Sequence, residues 1–187
     1  MEIHLIRHTT VELEKGICYG QSDVGLAATF FAESTQIQSK LDGEYDCVFS
    51  SSLIRCTQLA EQLNLGKIQT DDRLKEINFG KWELKAWNAI DQKEIALWHD
   101  SIVGYKLHGG ESLFDLQQRV HAFINDLKNN DYKKVLIVSH AGVLRLFYQY
   151  ILDFPLQNTM KYPIQFGQVH KMHLSQDPSL CWIQSIK

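Results

Sequence analysis

The stretch Val135-Leu136-Ile137-Val138-Ser139-His140-Ala141-Gly142 decides the fold class of this chain. Four consecutive apolar residues predict a short strand that is buried on both faces, and the polar residues after them end it. Residues 143–151 carry apolar side chains at helical spacing, which predicts a helix directly after the strand. A buried strand that leads into a helix is the repeating unit of an α/β domain with a largely parallel sheet.

The same alternation of short apolar runs and longer helical patterns continues on both sides of this stretch. Strands are predicted at residues 3–6, 47–50, 67–70 and 135–138, and helices at residues 27–41, 52–63, 111–128 and 143–151. Residues 168–174 and 180–186 flank a turn-forming segment and predict a hairpin. With only 3 Pro and no Gly/Ser-rich linker, we expect a single domain over residues 1–187. Its predicted architecture is a three-layer α/β/α sandwich with a mostly parallel central sheet.

Composition and charge argue against several classes of protein. The chain has 187 residues, 44% of them hydrophobic, and its formal net charge of −3 argues against a general nucleic-acid binder. It has no run of about 18 apolar residues that would cross a membrane, and its start lacks the pattern of a secretory signal. The scattered cysteines, at positions 18, 47, 56 and 181, have no zinc-site spacing. We therefore expect a cytoplasmic protein with reduced thiols, no metal site and no nucleic-acid or membrane partner.

Four side chains that can carry positive charge are predicted at the carboxyl ends of the strands. His8 follows the first strand, with Arg7 beside it, and His140 ends the strand quoted above. Arg55 lies one turn into a helix that follows another strand. Ligands of open α/β sheets bind at this edge, and such a cluster suits a tetrahedral phosphate dianion. A lone histidine at a strand end is more often structural, but two histidines together with two arginines favour a functional site.

The residue types at this edge predict phosphoryl transfer without a bound metal or organic cofactor. The sequence has neither a Walker-type glycine-rich loop nor an acidic metal-binding cluster, so cationic side chains would take the place of Mg²⁺. Neutral His8 is a candidate nucleophile that would form a phosphohistidine. His140 is then the better candidate for a protonated group that stabilises charge. The sequence does not decide which imidazole is neutral.

A general acid is also needed to protonate the departing alkoxide. The segment Leu74-Lys75-Glu76-Ile77-Asn78-Phe79-Gly80-Lys81-Trp82-Glu83 offers two carboxyl groups, those of Glu76 and Glu83. A carboxyl group whose pKa is raised by apolar surroundings can donate a proton at neutral pH and then act as a base for water. Residue type and spacing leave the two candidates equal, and either can instead be an exposed surface acid.

At these residues the sequence resembles the histidine phosphatase superfamily, also called the phosphoglycerate mutase-like family. The resemblance covers residues 3 to about 147 and rests on five motifs in the expected order, at residues 5–8, 50–60, 74–83, 109–112 and 138–145. It implies a phosphoglycerate mutase-like fold and a metal-free phosphoenzyme. By position, His8 matches the family's nucleophile and Glu76 its proton donor. Arg7, Arg55 and His140 match its phosphate pocket.

Within that superfamily, Gly16-Ile17-Cys18-Tyr19-Gly20-Gln21-Ser22-Asp23-Val24 looks most like the same element of α-ribazole phosphatases. Those enzymes remove the 5′-phosphate from α-ribazole 5′-phosphate during assembly of the lower cobalamin loop. The resemblance implies that Tyr19, Gly20, Gln21 and Ser22 contact a small phosphorylated substrate. The short chain favours hydrolysis over the mutase reaction, whose enzymes carry longer insertions. The alternatives are a phosphatase for sugar phosphates, phosphoglycerate or nucleotides, one of broad specificity, and a non-catalytic phosphate-binding module.

Several positions depart from the superfamily pattern without removing a proposed chemical group, among them His108, where Pro often precedes Gly-Gly-Glu-Ser, and residues 26–36, which lack the usual Thr-x-x-Gly pattern. Thr9 and Leu84 stand where Gly is usual, and Glu14 stands where many members place an Asn that approaches the phosphate. Lower activity or a shifted substrate would be the consequence of such departures, because substrate choice in this fold depends on variable loops.

Residues 82–108 are predicted to be an irregular segment that contains Trp82, Trp87 and Trp98. Two roles are possible for these indole rings: packing in the core, or forming a wall that stacks on the substrate. Directly after this segment, Glu111 and Ser112 are predicted to start a helix, where capping is the plain interpretation and substrate contact the alternative.

Overall fold

The computed structural model describes residues 1–186, with Ile186 described by its backbone alone. In chain order its elements are β1 (Glu2–Arg7), β2 (Ile17–Cys18), α1 (Phe30–Gln38), β3 (Cys47–Ser50), α2 (Ile54–Leu63), β4 (Ile68–Thr70), β5 (Lys85–Ala86), α3 (Gln92–Asp100), α4 (Leu113–Lys128), β6 (Lys134–Ser139), α5 (Ala141–Leu152), β7 (Val169–His173) and β8 (Trp182–Ile186). Every predicted strand and helix is present, with bounds that differ by up to three residues.

The central sheet has six strands in the order β4-β3-β6-β1-β7-β8. β4, β3, β6 and β1 run parallel, whereas β7 is antiparallel to both of its neighbours. The predicted α/β class, the mostly parallel sheet and the hairpin of β7 and β8 are therefore confirmed.

Helices cover both faces of this sheet. Successive residues of a strand point to opposite sides, so an unbroken apolar run gives each face apolar side chains that a helix must cover. Leu5 and Ile137 point to the face that packs against α4 and α5. Ile6 and Val138, their neighbours in sequence, point to the face that packs against α1 and α2. The four apolar residues quoted at the start thus contribute to two cores at once, which is why their run is unbroken. The predicted three-layer α/β/α architecture is confirmed.

Local sequence explains where α4 begins. The Ser112 side chain accepts a hydrogen bond from the backbone N–H of Asp115, whose carboxylate accepts one from the Ser112 N–H. This reciprocal pair satisfies two N–H groups that the first helical turn would otherwise leave unpaired. The capping interpretation of Ser112 is confirmed.

The prediction of an irregular segment at residues 82–108 is wrong, because this segment contains α3 and β5. Asp91 caps the start of α3 through the N–H of Lys93, and β5 pairs with β2. Trp82 and Trp98 are buried, and the Trp87 ring stacks on Trp98 with centroids 6.1 Å apart. The apolar residues of α3 form one consecutive run, residues 95–98, rather than recurring at three- and four-residue spacing, so its sequence gives little helical periodicity. The rings pack together in a small core of their own, which favours the packing interpretation.

Strand register places the candidate functional residues at one edge of the sheet. Arg7 of β1 pairs with Ser139 of β6, and Ser50 of β3 pairs with Val138. The residues that follow each strand, among them His8 and His140, therefore leave the sheet side by side. Parallel pairing alone produces this convergence of residues far apart in sequence.

Candidate active site

His8 lies directly after β1 and is almost fully buried. Its Nδ1 is 2.8 Å from the carbonyl oxygen of Thr9. Because a carbonyl only accepts, Nδ1 carries the proton and Nε2 keeps its lone pair. Burial, together with the guanidinium groups of Arg55 and Arg7, holds the pKa of His8 well below its ordinary value. His8 is therefore a neutral imidazole with a nucleophilic Nε2 at neutral pH.

His140 lies beside it, with the two ring centroids 5.1 Å apart. Arg55 Nε donates to His140 Nδ1 over 3.3 Å, so Nε2 carries the proton and donates to Ser51 Oγ at 2.8 Å. Burial and the neighbouring charge of Arg55 hold the pKa of His140 well below its ordinary value. The expectation of a protonated His140 is therefore wrong for the protein alone: it is a neutral hydrogen-bonding group. A phosphate dianion would act in the opposite direction, because nearby negative charge favours the imidazolium.

Arg55 is completely buried and ties the loop of residues 19–22 to the site. Its Nη1 donates to the carbonyl oxygen of Ser22 over 2.9 Å and its Nη2 to that of Gly20 over 2.5 Å. The guanidinium also lies 5.0 Å from the centre of the Tyr19 ring, which in turn lies 6.4 Å from the His8 ring. The predicted substrate loop and the predicted phosphate pocket are therefore in direct contact.

Arg7 lies on the other side of His8, against the ring of Phe166. The guanidinium carbon is 3.6 Å from the centre of that ring, and Nη1 donates to the carbonyl oxygen of Ile164 over 2.7 Å. Nε is buried without a hydrogen-bond partner among residues 1–186. Because a buried charged donor without a partner is costly, the geometry favours an anion at this position.

Glu76 is held at the same edge by backbone N–H groups. The N–H of Gly142 lies 3.1 Å and 3.2 Å from the two carboxyl oxygens, and the N–H of Ile77 lies 3.0 Å from Oε1. Gly142 is in the first turn of α5, two residues after His140. The helix that starts at the second histidine therefore also positions the candidate acid.

Glu83 has a different set of contacts from Glu76. Its Oε1 accepts from the N–H groups of Gln21 and Phe79 over 2.9 Å and 3.0 Å, and its Oε2 accepts from Ser22 Oγ over 2.5 Å. A Cβ atom on Gly20 would overlap Glu83 Oε1, which explains a glycine at this position. Glu83 thus braces the loop of residues 19–22, and the geometry separates the two carboxyl groups that residue type and spacing left equal.

Two supporting residues were missed by sequence reasoning. Arg119 of α4 pairs with Glu111 over 2.8 Å and donates to the carbonyl oxygens of Arg73, Lys75 and Glu76. It therefore fixes the backbone on which the candidate acid lies. Phe166, which stacks on Arg7, is the second. Neither residue had a local signal, because each contacts chain far away in sequence.

An open cavity adjoins Glu76 and Gly142. Its walls are mainly apolar and come from α3, α4, α5 and residues 156–161. Trp98 lines this cavity while it also packs in the small aromatic core, so stacking on substrate stays a prediction for this ring.

One group of possible metal ligands occurs in the described residues, at the opposite end of β1. Single ligand atoms of Glu2, His4 and Asp42 lie within 4.8 Å of one another. Lys134 pairs with both carboxylates and Lys171 with Asp42. Both ring nitrogens of His4 are also bonded, to Tyr45 and Glu2. Protein cations already satisfy this group, which therefore does not suit a metal ion.

The four cysteines are free thiols in the structure, in keeping with the expectation of reduced cysteines. Burial raises the pKa of the Cys56 thiol, whose Sγ lies 3.4 Å from His140 Nε2. A thiol held in its neutral form is a poor nucleophile. Among residues 1–186, no helix is both long and apolar enough to cross a membrane.

Comparisons with known proteins agree with this geometry. The model of the histidine phosphatase superfamily (branch 1) matches residues 3–181. The chain is 28% identical over 185 residues to "Putative phosphoserine phosphatase 2" of Hydrogenobacter thermophilus, covering 95% of this chain and 91% of that protein. It is 26% identical over 176 residues to the adenosylcobalamin/alpha-ribazole phosphatase of Escherichia coli, covering 89% of this chain and 87% of the relative.

The fold is also shared with a solved structure. The alpha-ribazole phosphatase from Shigella flexneri superposes with a TM-score of 0.88 at 24% identity, over 98% of this chain and 95% of the other. Because the family model spans most of the sequence, the chain belongs to the histidine phosphatase superfamily.

Proposed function

We propose that this member of the histidine phosphatase superfamily hydrolyses phosphate monoesters through a phosphohistidine on His8, and that α-ribazole 5′-phosphate is its substrate. Phosphatases among its relatives support the general activity. The observation that carries the mechanism is the buried His8 ring, whose Nδ1 donates to the Thr9 carbonyl oxygen between the guanidinium groups of Arg7 and Arg55. That hydrogen bond leaves Nε2 with its lone pair free to attack phosphorus.

In the first step, Nε2 of His8 attacks the phosphorus atom while the bond from phosphorus to the leaving oxygen breaks. Arg7 and Arg55 bind the non-bridging oxygens, whose negative charge they offset. His140 positions the Arg55 guanidinium by accepting from its Nε. Glu76 in its acid form gives its proton to the departing oxygen, so the product is a neutral alcohol rather than an alkoxide.

In the second step, water replaces the histidine on phosphorus. The Glu76 carboxylate left by the first step takes a proton from the attacking water, and the bond between phosphorus and Nε2 breaks. Inorganic phosphate leaves, and both His8 and Glu76 return to their starting protonation states. One carboxyl group therefore serves as acid and then as base.

Three observations support α-ribazole 5′-phosphate as the substrate. Residues 16–24 resemble the corresponding element of α-ribazole phosphatases, and the Escherichia coli relative bears that activity in its name. An apolar cavity beside the acid suits a leaving group with an aromatic base. We propose that the protein meets this small substrate in the cytoplasm.

A substrate panel tests the proposal. We expect the kcat/KM of the purified protein to be highest for α-ribazole 5′-phosphate among a set that includes phosphoserine, 3-phosphoglycerate, a sugar phosphate and a nucleotide. Phosphoserine belongs in the set because a relative carries that name. A clear preference for any other ester would reject the proposed substrate, and phosphate binding without turnover of any ester would favour a non-catalytic module.

Two variants test the mechanism. His8→Ala is expected to abolish turnover and the acid-labile phosphoenzyme, whereas His99→Ala, at an exposed histidine, is the matched control. Glu76→Gln is expected to slow alkyl phosphates by about 10²-fold or more while affecting an activated aryl phosphate far less. Equal losses for both classes of ester would contradict the role of Glu76 as the acid.

A further inference from the structure

The cavity beside Glu76 has features of a binding site that the phosphate chemistry does not use. It is a concave space with mainly apolar walls and few polar groups, as small-molecule sites commonly are. Phe79, Trp98 and Met160 are among the side chains on its apolar walls, and Glu76 with Gly142 forms the end nearest the catalytic residues. A group bound in this cavity would therefore lie next to the carboxyl that protonates the leaving oxygen.

Arg145 of α5 is the single cation among the residues that line this cavity. Its Nε donates to the carbonyl oxygen of Tyr162 over 2.7 Å. Within residues 1–186, its Nη1 and Nη2 make no hydrogen bond to the protein. Because a guanidinium stays charged and these two nitrogens are not among the buried unpaired atoms, they are open to solvent and available to an oxygen acceptor of a ligand.

The remaining polar groups on the cavity wall do not provide that acceptor. Thr159 uses its hydroxyl to donate to the carbonyl oxygen of Leu156. Both oxygens of Glu76 already accept from backbone N–H groups. The cavity therefore combines apolar walls with two guanidinium nitrogens that remain available for hydrogen bonding.

We propose that this cavity binds the leaving group of the substrate, with an apolar ring against Trp98 and Phe79 and with oxygen atoms of the leaving alcohol accepting from Arg145. The inference rests on the proposed phosphatase activity and adds the chemical class of the alcohol, which has both an apolar ring and hydroxyl oxygens near the ester. A ribosyl alcohol with an aromatic base belongs to this class. Small phosphorylated acids would satisfy Arg145 but leave the apolar walls in contact with water.

Three esters separate the two parts of the cavity. Benzyl phosphate has an apolar ring without further oxygens, glycerol 3-phosphate has hydroxyl oxygens without a ring, and α-ribazole 5′-phosphate has both. Arg145→Met removes the donors but keeps a long apolar side chain. We expect it to lower kcat/KM about 10- to 100-fold for the two esters with hydroxyl oxygens and less than about 3-fold for benzyl phosphate.

Lys161→Met is the matched control, since it removes a nearby cation that does not line the cavity. It is expected to change none of the three kcat/KM values by more than about 2-fold. Met160→Trp, which narrows the cavity from its partly exposed side, is expected to weaken the two ring-containing esters and to spare glycerol 3-phosphate. Because Met160→Trp leaves Arg145 unchanged, it still tests the cavity if the Arg145→Met protein fails to fold. Thermal unfolding of each variant identifies such a loss of fold.

An equal loss of kcat/KM for all three esters in Arg145→Met would overturn the inference, because Arg145 would then act on the phosphate or on the fold. Unchanged values for all three would overturn it as well. If the wild type does not cleave α-ribazole 5′-phosphate but Arg145→Met still separates glycerol 3-phosphate from benzyl phosphate, the cavity is supported and only the proposed substrate fails.

Discussion

The contact between Gly142 and the carboxyl of Glu76 makes Gly142→Ala a direct test of acid catalysis. A Cβ atom built on Gly142 would overlap Glu76 Oε1 and lie 3.3 Å from Leu116 Cδ2. The backbone there is helical, so alanine itself is not strained. The Glu76 carboxyl must therefore move away and lose the two-oxygen contact with the Gly142 N–H.

The expected loss of activity follows from this displacement. Misplacement of a catalytic group by about 1 Å costs on the order of 10² in rate, and general acids contribute about 10² to 10⁴. We expect kcat for an alkyl phosphate to fall about 10²-fold in Gly142→Ala, and kcat for an aryl phosphate with a good leaving group to fall less than about 10-fold. Stability is expected to stay within about 1 kcal/mol, because the higher helix propensity of alanine offsets the weakened hydrogen bond.

Steady-state kinetics with one alkyl and one aryl ester, together with urea unfolding, provide the assay. Gly104→Ala is the matched control, since no atom lies within 4 Å of a Cβ built at that position. It should leave both kcat values unchanged. Wild-type turnover of the alkyl ester by Gly142→Ala would refute the assignment of Glu76 as an acid that must keep this position.

Three further predictions concern stability and phosphate affinity. Burial lowers the pKa of His170 to about 4, so below pH 6.5 the unfolded chain binds a proton at this position that the folded chain does not. The contribution of His170 to the free energy of unfolding should therefore fall by up to about 1.4 kcal/mol per pH unit as the pH is lowered. The difference in stability between pH 7 and pH 5, measured by urea unfolding, should be smaller in His170→Gln. Leu84 is exposed and has a φ of +63°, a backbone conformation that strains any residue with a Cβ atom. Leu84→Gly should therefore raise the free energy of unfolding by up to about 1 kcal/mol and leave kcat unchanged. A lower free energy of unfolding in this variant would contradict the idea that the backbone at Leu84 is strained. Phe166→Leu removes the stacking on Arg7 and should raise KM about 2- to 5-fold, whereas Phe31→Leu, at an exposed ring, should not.

The layout of the candidate site could be predicted because its residues directly follow the carboxyl ends of parallel strands, and those ends can be located in the sequence. An apolar run that stops at a polar pair identifies the end of a buried strand, and parallel pairing brings such ends together. His8 and His140 follow two adjacent strands of the sheet, and Arg55 starts the helix after a third. Periodicity, which is local, was sufficient to predict this arrangement.

Properties that depend on contacts distant in sequence could not be predicted in the same way. The tautomer and charge of His140 depend on Arg55 and Ser51, which lie 85 and 89 positions away. Residue type and spacing leave Glu76 and Glu83 equal, and only the match to the family motif selects Glu76; the hydrogen bonds that distinguish them come from Gly142 in one case and from Gln21 and Ser22 in the other. The helix α3 was missed because its apolar residues form one consecutive run, and Ile95 and Trp98 pack with Trp82 rather than against the main sheet. In each case the deciding neighbour comes from a different part of the chain.

The contacts of Arg55 connect substrate selection to the phosphate chemistry. A guanidinium has five N–H donors, and in Arg55 three nitrogens already donate to His140, Ser22 and Gly20. Each Nη carries a second N–H, so two donors remain for phosphate oxygens. Movement of the substrate loop would therefore shift the group that binds the phosphate, because one rigid plane carries both sets of bonds. Glu83 restrains the same loop from its other side through the Gln21 N–H. In the proposed mechanism, this rigid coupling would make a change of loop sequence alter the position of the phosphate as well as the fit of the alcohol.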